Sequence, residues 1–149
     1  MKKGLIKAIL FLSLGFMIGE TIFGDMNSYL KKWKNMDTYY FLQEGVYTNP
    51  NELQTNIKNI NEKMILKEKN AYYVYVGITK DKEIAKTIQD IYERKGYKIY
   101  YKEKNVSSRE FSENVNQFDL LIRDTEEEDQ ILTIEKVVLA NYEEIVKKR

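Results

Sequence analysis

Two stretches of this chain, YFLQEGVY at Tyr40 to Tyr47 and YYVYVGIT at Tyr72 to Thr79, share one plan. Each is an aromatic, alternating run that reaches a glycine and then passes into an amphipathic helical pattern. A strand followed by such a helix cannot bury its apolar face alone, so two copies most simply share one sheet with both helices behind it. In the first copy, Asn49 and Pro50 offer an N-cap and a first helical residue, and Leu53, Ile57 and Ile60 form the apolar stripe of a helix reaching Glu62. A short strand over Met64 to Lys67 follows, and Asn70 supplies turn chemistry. In the second copy, Val74 and Val76 take one face and Tyr73 and Tyr75 the other. Thr79 or Asp81 caps a helix with Ile84, Ala85, Ile88 and Ile91 inward, Gly96 ends it, and Tyr97 to Lys102 makes the last strand. The expected class is α+β, a ferredoxin-like βαββαβ unit with a four-stranded antiparallel sheet and two helices on one face.

What precedes and follows this unit differs in kind. Lys2, Lys3 and Lys7 lead a stretch from Leu5 to Phe23, whose 19 residues approach the length needed to cross a bilayer. Residues 1–24 therefore read as a single N-terminal transmembrane anchor, with a cleaved signal peptide as the competing reading. Residues 25–38 form a linker in which Tyr29 and Trp33 suit the membrane interface. Three lysines flank each side of the apolar stretch, so charge leaves its orientation open. The short basic start favours a cytoplasmic N-terminus and an extracytoplasmic body.

Beyond the repeat, residues 106–149 carry six Lys or Arg against eleven Asp or Glu, whereas residues 25–105 carry fifteen against eleven. Ser107 and Glu110 form a capping-box pattern, and Phe111, Val115, Phe118 and Ile122 follow on one helical face. A second helix from Glu126 would bury Ile131, Ile134, Val138, Tyr142 and Ile145. Residues 105–149 are thus expected to form a helical hairpin. It has three possible uses: docking on the preceding unit at 39–104, self-association with a second copy, or recruiting a protein partner.

The absence of cysteine and histidine excludes disulfides, Cys or His zinc sites, histidine bases and cysteine nucleophiles. Glu126 to Asp129 are consecutive, so a helix would splay them around its circumference rather than gather them on an ion. Acidic residues there suit a helix N-terminus, and neither a metal nor another cofactor is assigned. No pair of carboxylates carries a motif for convergence across a cleft, so no catalytic residue is named and an enzyme is not expected. Exposed aromatics on a four-stranded sheet also describe RNA-binding modules. The net charge of +1 and the lack of a basic, glycine-bearing entry to the third strand exclude nucleic acid as the expected partner.

The run Gln43-Glu44-Gly45-Val46-Tyr47, with Val74 to Tyr101 carrying Gly77, Ala85, Gly96 and Tyr97 at matching places, resembles the SPOR domain (sporulation-related repeat) of bacterial cell-envelope proteins. The likeness covers residues 39–104. It implies a membrane-attached module that binds peptidoglycan, notably glycan strands stripped of their peptides during division or sporulation. A degenerate member would serve instead as a protein adaptor. It also implies a ligand on the helix-free sheet face, with Gln43 as the principal polar contact. Val46 stands where many relatives carry a small hydroxyl residue, and Glu44 where they carry an apolar one. Sugar faces stack on aromatic rings, and sugar amides need directional partners. The expected glycan-binding set is therefore Phe41, Gln43, Val46, Tyr73, Tyr75, Lys98 and Tyr100, standing on an open platform.

Overall fold

A computed structural model describes residues 37–149. The expected anchor and all but the end of the linker lie outside the described residues. Among those described, no helix is long and apolar enough to cross a membrane. The chain is α+β, with one four-stranded antiparallel sheet and four helices. The elements are β1 (Asp37–Tyr47), α1 (Pro50–Ile57), β2 (Met64–Glu68), β3 (Ala71–Thr79), α2 (Lys82–Arg94), β4 (Tyr100–Val106), α3 (Arg109–Arg123) and α4 (Glu128–Lys147). The strand order is β2-β3-β1-β4, so the two aromatic repeat strands are the central pair.

Local chemistry sets the element ends. Asn49 accepts from the N–H groups of Asn51 (2.8 Å) and Glu52, with Pro50 opening α1. Asp81, rather than Thr79, caps α2 through Glu83 and Ile84. Gly96 follows α2 at φ +92, a left-handed conformation that a side chain would strain. The first helix stops at Ile57 instead of continuing to Glu62, although Ile60 is still buried. The last strand begins at Tyr100 and runs to Val106 because its register is set by pairing Val106 with Asp37, and Tyr97 to Ile99 form a connector. Ser108, not Ser107, caps α3 by accepting from the Phe111 N–H at 3.2 Å.

The β1–β3 register is interrupted twice, since β3 skips Val76 between the Leu42–Gly77 and Gln43–Tyr75 pairs and β1 then skips Glu44. The second bulge re-aims the strand end. Without it, Val46, three residues from Gln43, would point to the opposite face. With it, Val46 stands opposite Tyr73 and shares a face with Gln43 and Tyr75. The bulged Glu44 is half-buried and accepts the Tyr47 hydroxyl at 2.9 Å.

Adjacent β1 residues identify what covers each face. Leu42 and Ile88 of α2 converge on Gly77, whereas Phe41, one residue away, meets Tyr142 of α4 with ring centroids 5.0 Å apart. The second face was expected to be bare. Instead α3 and α4 pack on it and on the end of β3, and Phe111, Val115, Phe118, Ile122, Ile131, Leu132, Ile134, Val138 and Leu139 join the strand residues in a single core. The boundary drawn at residue 105 therefore crosses a continuous hydrophobic interior. Of the three uses open to the helix pair, the described residues adopt docking on the preceding unit.

Candidate functional site

The sheet face carrying Tyr39, Phe41, Gln43, Tyr73 and Tyr75 divides into a roofed half and an uncovered end. Under the roof, Tyr39 packs on Phe111 at 5.2 Å, Phe111 on Tyr142 at 5.5 Å, and Phe41 on both Tyr142 and Tyr75 (5.5 Å), largely in the tilted or edge-on arrangements that aromatic quadrupoles favour. Lys104 of β4 closes one side of this cluster. Its Nζ lies 5.1 Å from the Phe41 ring centre and 4.6 Å from that of Tyr75, and donates to the Tyr75 hydroxyl at 2.6 Å. Burial pushes the Tyr75 hydroxyl up to about 12 and that of Tyr39 likewise to about 12. Both are neutral phenols locked in a packed layer.

Phe41 and Tyr75 were expected to be ligand contacts on an open surface. The structure corrects the open surface, since they are 0% and 1% exposed beneath the helix pair. Gln43, the expected principal polar contact, is only 7% exposed at the border of the covered region. It is held between Tyr75 on β3 and Tyr100 on β4. The cause is plain in the tail, whose apolar stripe needs a partner surface and finds one in the aromatic face of the sheet.

The other expected residues gather at the uncovered end. Val46 is 46% exposed and Tyr100 48%, Tyr73 is half-buried opposite Val46, and Lys98 is exposed with its Nζ 5.4 Å above the Tyr100 ring. Exposed Lys102 follows on β4. The strip thus runs from Tyr73 on β3 across the end of β1 at Val46 to the edge strand β4 and the connector before it, bounded inward by Gln43.

Two buried carboxyl groups escaped the sequence reading. Glu135 of α4 is 0% exposed, and its Oε2 accepts the Ile78 N–H at 2.8 Å. Asp119 of α3 accepts from the Thr79 hydroxyl at 2.7 Å and the Lys80 N–H at 3.1 Å. Both fasten the helix pair to the end of β3, where the shorter β2 no longer runs alongside. Burial pushes Asp119 up to about 6 and raises Glu135 well above the ordinary carboxylate range. A signal existed for Glu135, which stands four residues from both Ile131 and Leu139 in the apolar stripe.

An open cleft of about 300 Å³ lies between Lys80, Asp81, Asn116, Asp119, Leu120 and Arg123. Its polar groups are turned on one another. Lys80 Nζ binds Asp37 (2.9 Å), Ser112 and Asn116, and Arg123 binds Asp81, whose carboxyl is held below its usual range chiefly by that contact. With Asp119 engaged on Thr79 and Lys80, the two carboxylates of this cleft serve as cap and anchor. Among the described residues, no three carboxylates, histidines or cysteines converge to hold a metal ion. Comparison of the chain with family models, with curated proteins and with solved structures finds no match.

Proposed function

We propose that this chain is a non-catalytic interaction module of the bacterial cell envelope, tethered by its N-terminal apolar segment with the body outside the membrane, and that it serves as a protein adaptor. The βαββαβ order and the β2-β3-β1-β4 sheet support a ferredoxin-like reading of residues 37–106. The resemblance to SPOR domains supplies the envelope setting. One observation favours adaptor over glycan receptor: the face on which the resembled family holds its ligand is occupied, over Tyr39, Phe41 and Tyr75, by the chain's own helices. The partner surface is then the uncovered strip of Val46, Tyr73, Lys98, Tyr100 and Lys102. Aromatic rings there provide contact area at small entropic cost.

A second reading keeps glycan recognition at that same strip, favoured by Tyr73 and Tyr100 lying on the face that Gln43 borders. Retention of the full-length protein on purified sacculi, before and after amidase removes the peptides, separates the two. The adaptor reading expects no retention that depends on Tyr100→Ala, Tyr73→Ala or Gln43→Ala. It expects a photo-crosslinker at position 46 or 100 to give a discrete protein adduct in cells, and one at Lys86, on the exposed side of α2, to give none. Retention abolished by Tyr100→Ala would establish the glycan reading instead.

A further inference from the structure

The helix pair is fastened to the sheet in a chemically unusual way. Besides the aromatic stack, its central attachment is the Glu135 carboxyl, fully buried beside Gly77 and bonded to the Ile78 N–H through one oxygen, while Oε1 has no hydrogen-bond partner. A side chain at Gly77 would place its Cβ 3.3 Å from Oε2, so the absence of a side chain there makes room for the acid. The groups that bear electrostatically on this site are all neutral or acidic. They are Asp119 from α3 and the phenol of Tyr92 from α2, which donates to the Glu62 carbonyl at 3.2 Å. Asp119 is in turn influenced by Asp81 and Arg123, and Arg123 is already held by Asp81. No cation pairs with Glu135 among the described residues.

An ionised carboxylate in such a place has one fully buried oxygen with no donor from the protein, and the less costly form is the neutral acid. We propose that the C-terminal helix pair is a protonation-gated lid, closed on the sheet while Glu135 is neutral and released when it ionises, uncovering Tyr39, Phe41 and Tyr75. Closing takes up a proton, because an undocked Glu135 in water has an ordinary carboxylate affinity and the docked one is raised. Rising pH therefore opens the lid. Between the open-state and closed-state titrations, each pH unit multiplies the open-to-closed ratio by up to about ten for the Glu135 proton, and Asp119 adds a second proton only as pH falls below about 6. The peripheral contacts, Arg94 with Glu128 and Arg123 with Asp81, are surface pairs that add little and fade with salt. This goes beyond the adaptor reading and stands whichever partner the face serves.

Amide hydrogen exchange of the full-length protein between pH 5.5 and 8, corrected for the intrinsic rate, tests the lid. Protection in α3, α4 and around Ile78 should fall by up to about tenfold per pH unit while protection in α2 holds. Glu135→Gln keeps an acceptor for the Ile78 N–H and cannot ionise, so its corrected profile should lose most of that slope. A flat wild-type profile overturns the proposal. So does an equal loss throughout the domain, which marks global unfolding, and so does a slope that survives Glu135→Gln but vanishes in Asp119→Asn. Should Glu135→Gln fail to fold, Glu135→Met removes the same proton, and a retained slope in that variant has the same overturning force.

Discussion

At the scale of single residues, the revised role of Tyr75 and Phe41 is the most consequential. As buried rings they are stability determinants, and Tyr75→Ala should cost about 3–5 kcal/mol in denaturant unfolding, a loss that an exposed ligand contact would not show. Tyr100→Ala, at 48% exposure, should stay within about 0.5 kcal/mol of wild type in the same experiment. Asp119 gives a pH signature. Its folded titration, raised from 3.8 to about 6, means that the protonated form is the one the fold favours. Its contribution is fully present below the unfolded value and is lost as pH rises toward 6. Urea titrations of the wild type should show a fall in stability between about pH 4 and 6, and Asp119→Asn should flatten it. Gly96→Ala meets no steric neighbour but keeps φ +92, so its expected cost of about 1 kcal/mol comes from backbone conformation alone.

At the scale of elements, the mismatch between β2 and β3 organises the molecule. Five residues of β2 pair with the first five of β3, which leaves Val76 to Thr79 without that neighbour. Glu135 and Asp119 meet the backbone there from two different helices, doing for Ile78 and Lys80 what another strand would do. Placement of α3 rests in part on its cap. Ser108→Ala removes the acceptor for the Phe111 N–H and should lower stability by about 1 kcal/mol, whereas Ser107→Ala should have little effect. Thermal unfolding of both variants distinguishes the capping residue seen here from the one that the capping-box pattern favours.

At the scale of the whole molecule, the sheet and the helix pair share one apolar interior. Removing residues 107–149 uncovers Tyr39, Phe41 and Tyr75 together and strips the acceptors from the end of β3. The expected outcome is a chain that self-associates through those rings while α2 stays helical, read by sedimentation and circular dichroism against the untruncated protein. A shortened protein that stayed monomeric would show instead that the uncovered aromatic face does not drive association. The opposite net charges of the two parts suit docking, but most of the joining surface is apolar. High salt should therefore leave the pair attached.

Much of this architecture could be read from local patterns. Alternation in Tyr72 to Val76, the Asn49-Pro50 start, the Ile84 to Ile91 stripe and the paired tail helices are periodicities that short-range sterics and burial impose on the chain directly. Those same patterns placed Tyr75 and Phe41 on the face away from the first two helices, together with half-buried Tyr73 and exposed Lys98 and Tyr100, whereas Val46 entered through the family resemblance and reaches that face only because of the bulge. They were silent on what lies over that face, because a stripe of apolar residues states that something must cover it and never which surface does. The bulge at Glu44, the switch of cap from Ser107 to Ser108 and the burial of Glu135 were likewise settled in three dimensions. Each depends on contacts between segments far apart in the chain, where packing overrides local preference.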